Sequence, residues 1–178
     1  MVFLSGRDTI DSLKEAIRMG DLRKVKKFID EGGKVNALID GDTLLGLAAE
    51  GPIWRFEEIH KDGYVGIVKF LLEKGAKIGA RDKDGNSALH ESAGRYGSGY
   101  LKISKILIDA GANLNAANKN GRTPMHRAIG ASLETLKLLI NAGAEVNSTN
   151  NEGKTPLDFF ESEFKYPSQK NEAFNQMN

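Results

Sequence analysis

The sequence predicts an all-α solenoid of about five stacked helix-turn-helix units joined by hairpin fingers. Two interleaved sets of glycines and the apolar runs between them predict it. The first set lies in a recurring segment: Asp84-Gly85-Asn86-Ser87-Ala88-Leu89-His90, Asn120-Gly121-Arg122-Thr123-Pro124-Met125-His126 and Glu152-Gly153-Lys154-Thr155-Pro156-Leu157-Asp158. A degenerate fourth copy is Asp40-Gly41-Asp42-Thr43-Leu44-Leu45-Gly46. The second set closes apolar runs, at Gly32-Gly33, Gly75-Ala76, Gly111-Ala112 and Gly143-Ala144. Self-similarity of this kind marks a repeat architecture, in which each unit needs its neighbours to bury its apolar face.

Each element follows from its residues. Thr or Ser before Pro or a small apolar residue is a helix start, because the hydroxyl caps free amides and proline at the first helical position has no N–H to lose. Small pairs such as Ala48-Ala49 and Ser92-Ala93, and Ala128 before Ile129, let one inner helix approach the next. Apolar residues at helical spacing follow, as in Ile67, Val68, Phe70, Leu71 and Leu72, or Ile103, Ile106, Leu107 and Ile108, and form the buried stripe of a second helix. The closing glycine suits the left-handed turn that ends a helix.

This pattern resembles the ankyrin repeat, with its period of about 33 residues and T-P-L-H-x-A signature. Thr123-Pro124-Met125-His126-Arg127-Ala128 is the fullest copy; Thr155-Pro156-Leu157 keeps the start and Ser87-Ala88-Leu89-His90 softens it. The resemblance covers about residues 11–161. It implies one domain over 1–178: an N-terminal cap (8–39), a unit 40–81 with an insertion at 50–62, a unit 82–117 with a small insertion at 94–98, a unit 118–149 and a C-terminal cap (150–178). Residues 168–176 are read as a short closing helix seated by Ala173 and Phe174.

Spacing locates the insertions. From closing glycine to finger glycine the step is 9 and then 10 three times, so the fingers are nearly uniform. From finger glycine to closing glycine it is 34, 26 and 22. Gly63 and Gly99 keep the distance to their closing glycines that Gly20 keeps to Gly32, so the extra residues lie between paired helices and are predicted to meet on one edge. Insertions on one face of a repeat stack often serve binding.

The larger insertion holds Trp54, the only tryptophan, with Arg55, Phe56, Glu58 and His60; Pro52 is predicted to start a short helix with Ile53 and Phe56 inward. Tyr64, Tyr96 and Tyr100 lie nearby, the last two flanking Gly97-Ser98-Gly99. Trp, Tyr and Arg dominate protein-binding hot spots, so this aromatic edge is one candidate partner site. The competing reading folds Trp54 and Phe56 down over the enlarged helix pair. By resemblance, the second candidate is the concave side, where Leu47, Glu91, Arg127 and Phe159 are the predicted exposed inner-helix positions. Arg81, Lys83, Asn86, Lys119, Arg122 and Lys154 are the predicted finger tips, with most weight on Arg122 and Arg127.

Composition narrows the function classes. The chain has 178 residues, 40% hydrophobic and 28% charged, and a formal charge of +1 without a dominant basic block. This gives no field to attract nucleic acid. Arg23, Lys24, Lys26 and Lys27 read as a solvated cap face. With no cysteine there is no disulfide, thiolate metal site or cysteine nucleophile. No signal-peptide pattern opens the sequence and no run is long enough to span a bilayer, so a cytoplasmic protein is expected.

His90 and His126 occupy the motif position where the family's histidine ties adjacent turns together, and the resemblance implies that structural role for them. His60 with Glu57 and Glu58 is a poor metal set. No G-x-S-x-G, P-loop, H-E-x-x-H or dinucleotide fingerprint is present, and Gly94 to Gly99 lacks the lysine and strand a phosphate cradle requires. Asn115 and Asn147 sit where ankyrin repeats often carry an asparagine that is hydroxylated in some organisms. The reading is a non-catalytic, cofactor-free module, monomeric when unbound, that binds another protein as an adaptor or regulator; the alternative is a dedicated inhibitor or immunity-like protein that blocks one enzyme.

Overall fold

The structure, a computed structural model, describes residues 6–51 and 61–163. Among them the chain forms α1 (Gly6–Arg18), α2 (Leu22–Asp30), β1 (Leu38–Ile39), β2 (Asp42–Thr43), α3 (Leu44–Glu50), α4 (Lys61–Glu73), α5 (Ala88–Ala93), α6 (Ser98–Asp109), α7 (Pro124–Ala128), α8 (Leu133–Asn141) and α9 (Pro156–Glu163). The helices lie in two layers. The inner row packs in the order α1, α3, α5, α7, α9, and the outer row in the order α2, α4, α6, α8.

Local chemistry sets the helix starts. Thr43 Oγ1 accepts the Gly46 amide at 2.9 Å. Ser87 and Thr123 head capping boxes whose third helical residue is His90 or His126, with Pro124 in the first turn of α7. At α9 a carboxylate takes the imidazole's place: Asp158 accepts from the Thr155 amide at 3.1 Å and the Thr155 hydroxyl at 2.7 Å.

The outer helices end as their glycines predict. Gly75, Gly111 and Gly143 have φ of 86°, 85° and 92°. The next amide, of Ala76, Ala112 or Ala144, then reaches back to the carbonyl of Leu71, Leu107 or Leu139 at 2.9 to 3.0 Å. The first finger is a two-residue hairpin, Leu38 opposite Thr43 and Ile39 opposite Asp42. Its turn residues Asp40 and Gly41 both have positive φ, as a type I′ turn requires.

One continuous core runs through the stack. Its fully buried side chains repeat in register: Leu71, Leu107 and Leu139 from the outer helices, Leu44, Ala88 and Pro124 or their neighbours from the inner ones. Burying each such leucine stabilises the stack by about 2 kcal/mol. Small residues bring elements close: a Cβ on Gly63 would stand 2.3 Å from the Gly20 carbonyl oxygen.

Two predicted concave-surface residues prove to be internal. Leu47 is 3% exposed and belongs to the core, because an aliphatic side chain on α3 packs among its neighbours. Asn86 is buried because its amide links two fingers, donating to Asp82 Oδ2 at 3.2 Å and accepting from Asn118 Nδ2 at 2.8 Å. Residues 51–60 separate α3 from α4. The predicted small insertion at 94–98 is not a longer loop: the step 94–97 between α5 and α6 matches the step 129–132 between α7 and α8, and the extra length of that unit is taken up in the helices, α6 having 12 residues against 9 in α8. The predicted helix at Pro52 and the 168–176 closing helix, with Ala173 and Phe174, lie outside the described residues.

Candidate functional site

The stack is braced from unit to unit by side chains that sequence alone offers as candidates for chemistry. His90 Nδ1 takes the Ser87 amide at 3.1 Å and faces its hydroxyl at 2.9 Å, while Nε2 meets the Arg122 carbonyl at 3.0 Å. His126 repeats this with Thr123 and the Lys154 carbonyl, at 3.1, 3.0 and 3.1 Å. Burial drives the His90 pKa down to about 4 and lowers that of His126. Both rings are therefore neutral at pH 7, with both nitrogens engaged, which leaves neither a free base nor a metal ligand.

A second brace joins the closing turns. Asn36 donates to the Gly75 carbonyl at 3.2 Å and accepts the Lys77 amide at 2.8 Å. Asn115 accepts the Glu145 amide at 2.9 Å. The unit 40–81 has Gly46 at its histidine position and Gly79 at its asparagine position, so it lacks both braces toward the next unit.

That junction is bridged at the insertion edge instead. Arg95 Nη2 meets Glu50 Oε1 at 2.7 Å, and a Cβ on Gly51 would stand 2.5 Å from the Tyr100 hydroxyl oxygen. The 94–97 loop thus seats against the start of the 50–62 segment. Tyr96 is 63% exposed, with its hydroxyl donating to the Gly130 carbonyl of the next unit, so an aromatic ring is held outward by an anchored tip. Arg95 and Glu50 were absent from the predicted site; their signal is that an inner-helix end and an adjacent loop carry opposite charges.

Tyr64 does not belong to this edge. It is 6% exposed and its hydroxyl donates to the Arg18 carbonyl, and burial raises its pKa to about 12. The reason is helical phase: Tyr64 precedes Ile67, Val68 and Leu71 by three, four and seven residues, on the buried stripe. Trp54, Arg55, Phe56, Glu58 and His60 lie outside the described residues.

On the inner-helix row, Glu91 and Arg127 are joined across α5 and α7. Arg127 Nη2 donates to Glu91 Oε2 at 3.1 Å and Nε to the His90 carbonyl at 3.3 Å. Burial raises the Glu91 pKa while the Arg127 charge opposes the rise. The guanidinium packs against Gly94, where a Cβ would come within 2.9 Å of Nε. Arg122, at the next finger, sits over the Phe159 ring at 4.1 Å, and His126 meets that ring edge-on at 6.3 Å. The site predicted as separate surface residues is thus a set of cross-unit contacts along one face, with Arg122 and Arg127 partly exposed.

Among the described residues no cluster of His, Asp and Glu has metal-binding geometry, and no helix is long and apolar enough to cross a membrane. Helix pairs in two layers, braced by a T-x-x-H motif, define a helical repeat protein. The family model described as ankyrin repeats, three copies, matches residues 13–118 and 59–150, and the chain belongs to the ankyrin repeat family. Members of this family are generally protein–protein interaction modules. No curated protein matches the chain.

Proposed function

We propose that this chain is a non-catalytic adaptor or regulator that binds another protein through its concave face and the adjoining insertion edge. The observation that carries the reading is the commitment of the described histidines to structure: each ring nitrogen braces a turn or a neighbouring finger. What these surfaces offer is shape, aromatic area and paired charge. Tyr96 supplies an outward ring beside Tyr100, and Arg122, Arg127 and Glu91 line the inner row. The tryptophan-bearing segment with Trp54, Arg55, Phe56, Glu58 and His60 extends the same edge in sequence. Such residue types supply most of the energy at protein interfaces, about 2 kcal/mol or more at each hot spot.

The test is affinity capture with the full chain, followed by measured binding of the recovered protein to Tyr96→Ala, Trp54→Ala and Arg127→Ala. The reading expects at least one variant that keeps the wild-type circular dichroism spectrum to bind about thirtyfold more weakly. Undiminished affinity in all three would overturn it.

A further inference from the structure

We infer that Arg122 is the anchor for an acidic side chain of the protein partner. This rests on the reading that the concave face binds protein. A ladder of side chains runs along the finger bases. Asp82, Asn118 and Asn150 occupy the same place in successive fingers, and each uses Oδ1 to accept the two amides that shape its own turn, at 2.8 to 3.0 Å. The remaining polar atom looks to the residue after a finger glycine. Asp82 Oδ2 receives Asn86 Nδ2, and Asn118 Nδ2 finds Asn86 Oδ1, because asparagine both donates and accepts.

At the next junction the equivalent of Asn86 is Arg122, which can only donate. Arg122 therefore offers the Asn150 amide no acceptor. Asn150 is 6% exposed and its Nδ2 has no acceptor, and Arg122 Nε is likewise buried without one. A buried donor without a partner is uncommon, and two from one junction mark a place that lacks an acceptor.

The other arginines of this face are already committed. Arg81 Nη1 donates to the carbonyls of Gly85 and Ala117 at 2.7 and 3.0 Å. Arg95 is paired with Glu50 and Arg127 with Glu91. Among the described residues Arg122 makes no ion pair at salt-bridge distance, and its guanidinium carbon stands 4.1 Å from the Phe159 ring centroid. A guanidinium presents a planar pair of N–H donors that matches a carboxylate, which accepts on two oxygens. Arg122 itself must shift on binding, because its Nε is covered in the free chain.

The experiment titrates the isotope-labelled full chain with a blocked peptide of glutamate and glycine, using its glutamine counterpart as control. The arginine Nε–H and asparagine side-chain signals are followed by NMR. Arg122 and Asn150 are expected to shift in a saturable, salt-sensitive way with the glutamate peptide alone. Arg122→Gln should weaken the interaction about tenfold, Arg122→Lys by less, and Arg23→Gln, exposed on the outer helix α2, should leave it within about twofold. Equal shifts with the glutamine peptide, or shifts shared evenly by all arginines, overturn the inference. So does a captured partner that loses affinity with Tyr96→Ala or Arg127→Ala but binds Arg122→Gln as tightly as wild type; in that case the interaction reading stands without this anchor.

Discussion

The His90 imidazole spans two units: one nitrogen closes its own helix cap at Ser87, and the other lies 3.0 Å from the carbonyl of Arg122, in the next finger. One buried ring therefore joins helix initiation to unit stacking. Replacing His90 with alanine removes the cap acceptor, the cross-unit bond and a fully buried volume together. The expected loss is about 3 kcal/mol, read as a lower denaturant midpoint in equilibrium unfolding.

The same ring sets a pH dependence. His90 has a folded pKa of about 4 and an unfolded value near 6.5, so between these limits the unfolded chain binds more protons than the folded one. The His90 contribution is complete above about pH 6.5 and is lost as pH falls toward 4. The His126 shift has the same direction and adds to the effect. Carboxylates also titrate in the lower part of this window. The diagnostic quantity is therefore the difference between wild type and His90→Gln, which should shrink as pH falls from 7 to 5.

The missing brace in unit 40–81 predicts a gain. Gly79 stands where Asn36 and Asn115 reach across to the next closing turn, and a Cβ there meets nothing within 4 Å. Gly79→Asn places an acceptor toward the amide of Asn113, the equivalent of Lys77 and Glu145. Reduced unfolded-state entropy and one added hydrogen bond should together stabilise the chain by about 1 kcal/mol, seen as a rise in thermal midpoint.

Gly63 makes the opposite prediction. It begins the outer-helix approach to the cap, and the Cβ of an alanine would collide with the Gly20 carbonyl at 2.3 Å. Backbone cannot swing aside as a side chain does. Gly63→Ala should cost about 2 kcal/mol, with the first unit losing hydrogen-exchange protection before the rest.

Most of the architecture was legible because its landmarks are local. A glycine that must turn left-handed, a Thr-Pro helix start and a 3.6-residue stripe each read from a few neighbours, and their register gave the stack. The same spacing could not tell a longer loop from a longer helix, and in the unit of α5 and α6 the extra residues lengthen α6. Tyr64 adjoins an insertion in sequence, but helical phase puts it on the buried stripe with Ile67 and Leu71. Leu47 holds a motif position that is polar in the next two units, Glu91 and Arg127, and its aliphatic side chain is buried instead. The finger ladder was harder to see, since Asn86 finds its partner Asn118 in the next finger, 32 residues away. Only pairing the fingers reveals that Arg122 breaks the sequence of donors and acceptors.

Hydrogen–deuterium exchange of the full chain, alone and saturated with the protein it captures, tests the central claim most directly. Binding through the concave face and insertion edge predicts slowed exchange in the finger segments 81–86 and 117–123, in α7 and in the loop 94–97, with α2 and α8 unchanged. Protection confined to the outer helices α2, α4, α6 and α8, with the fingers exchanging as in the free chain, would contradict it.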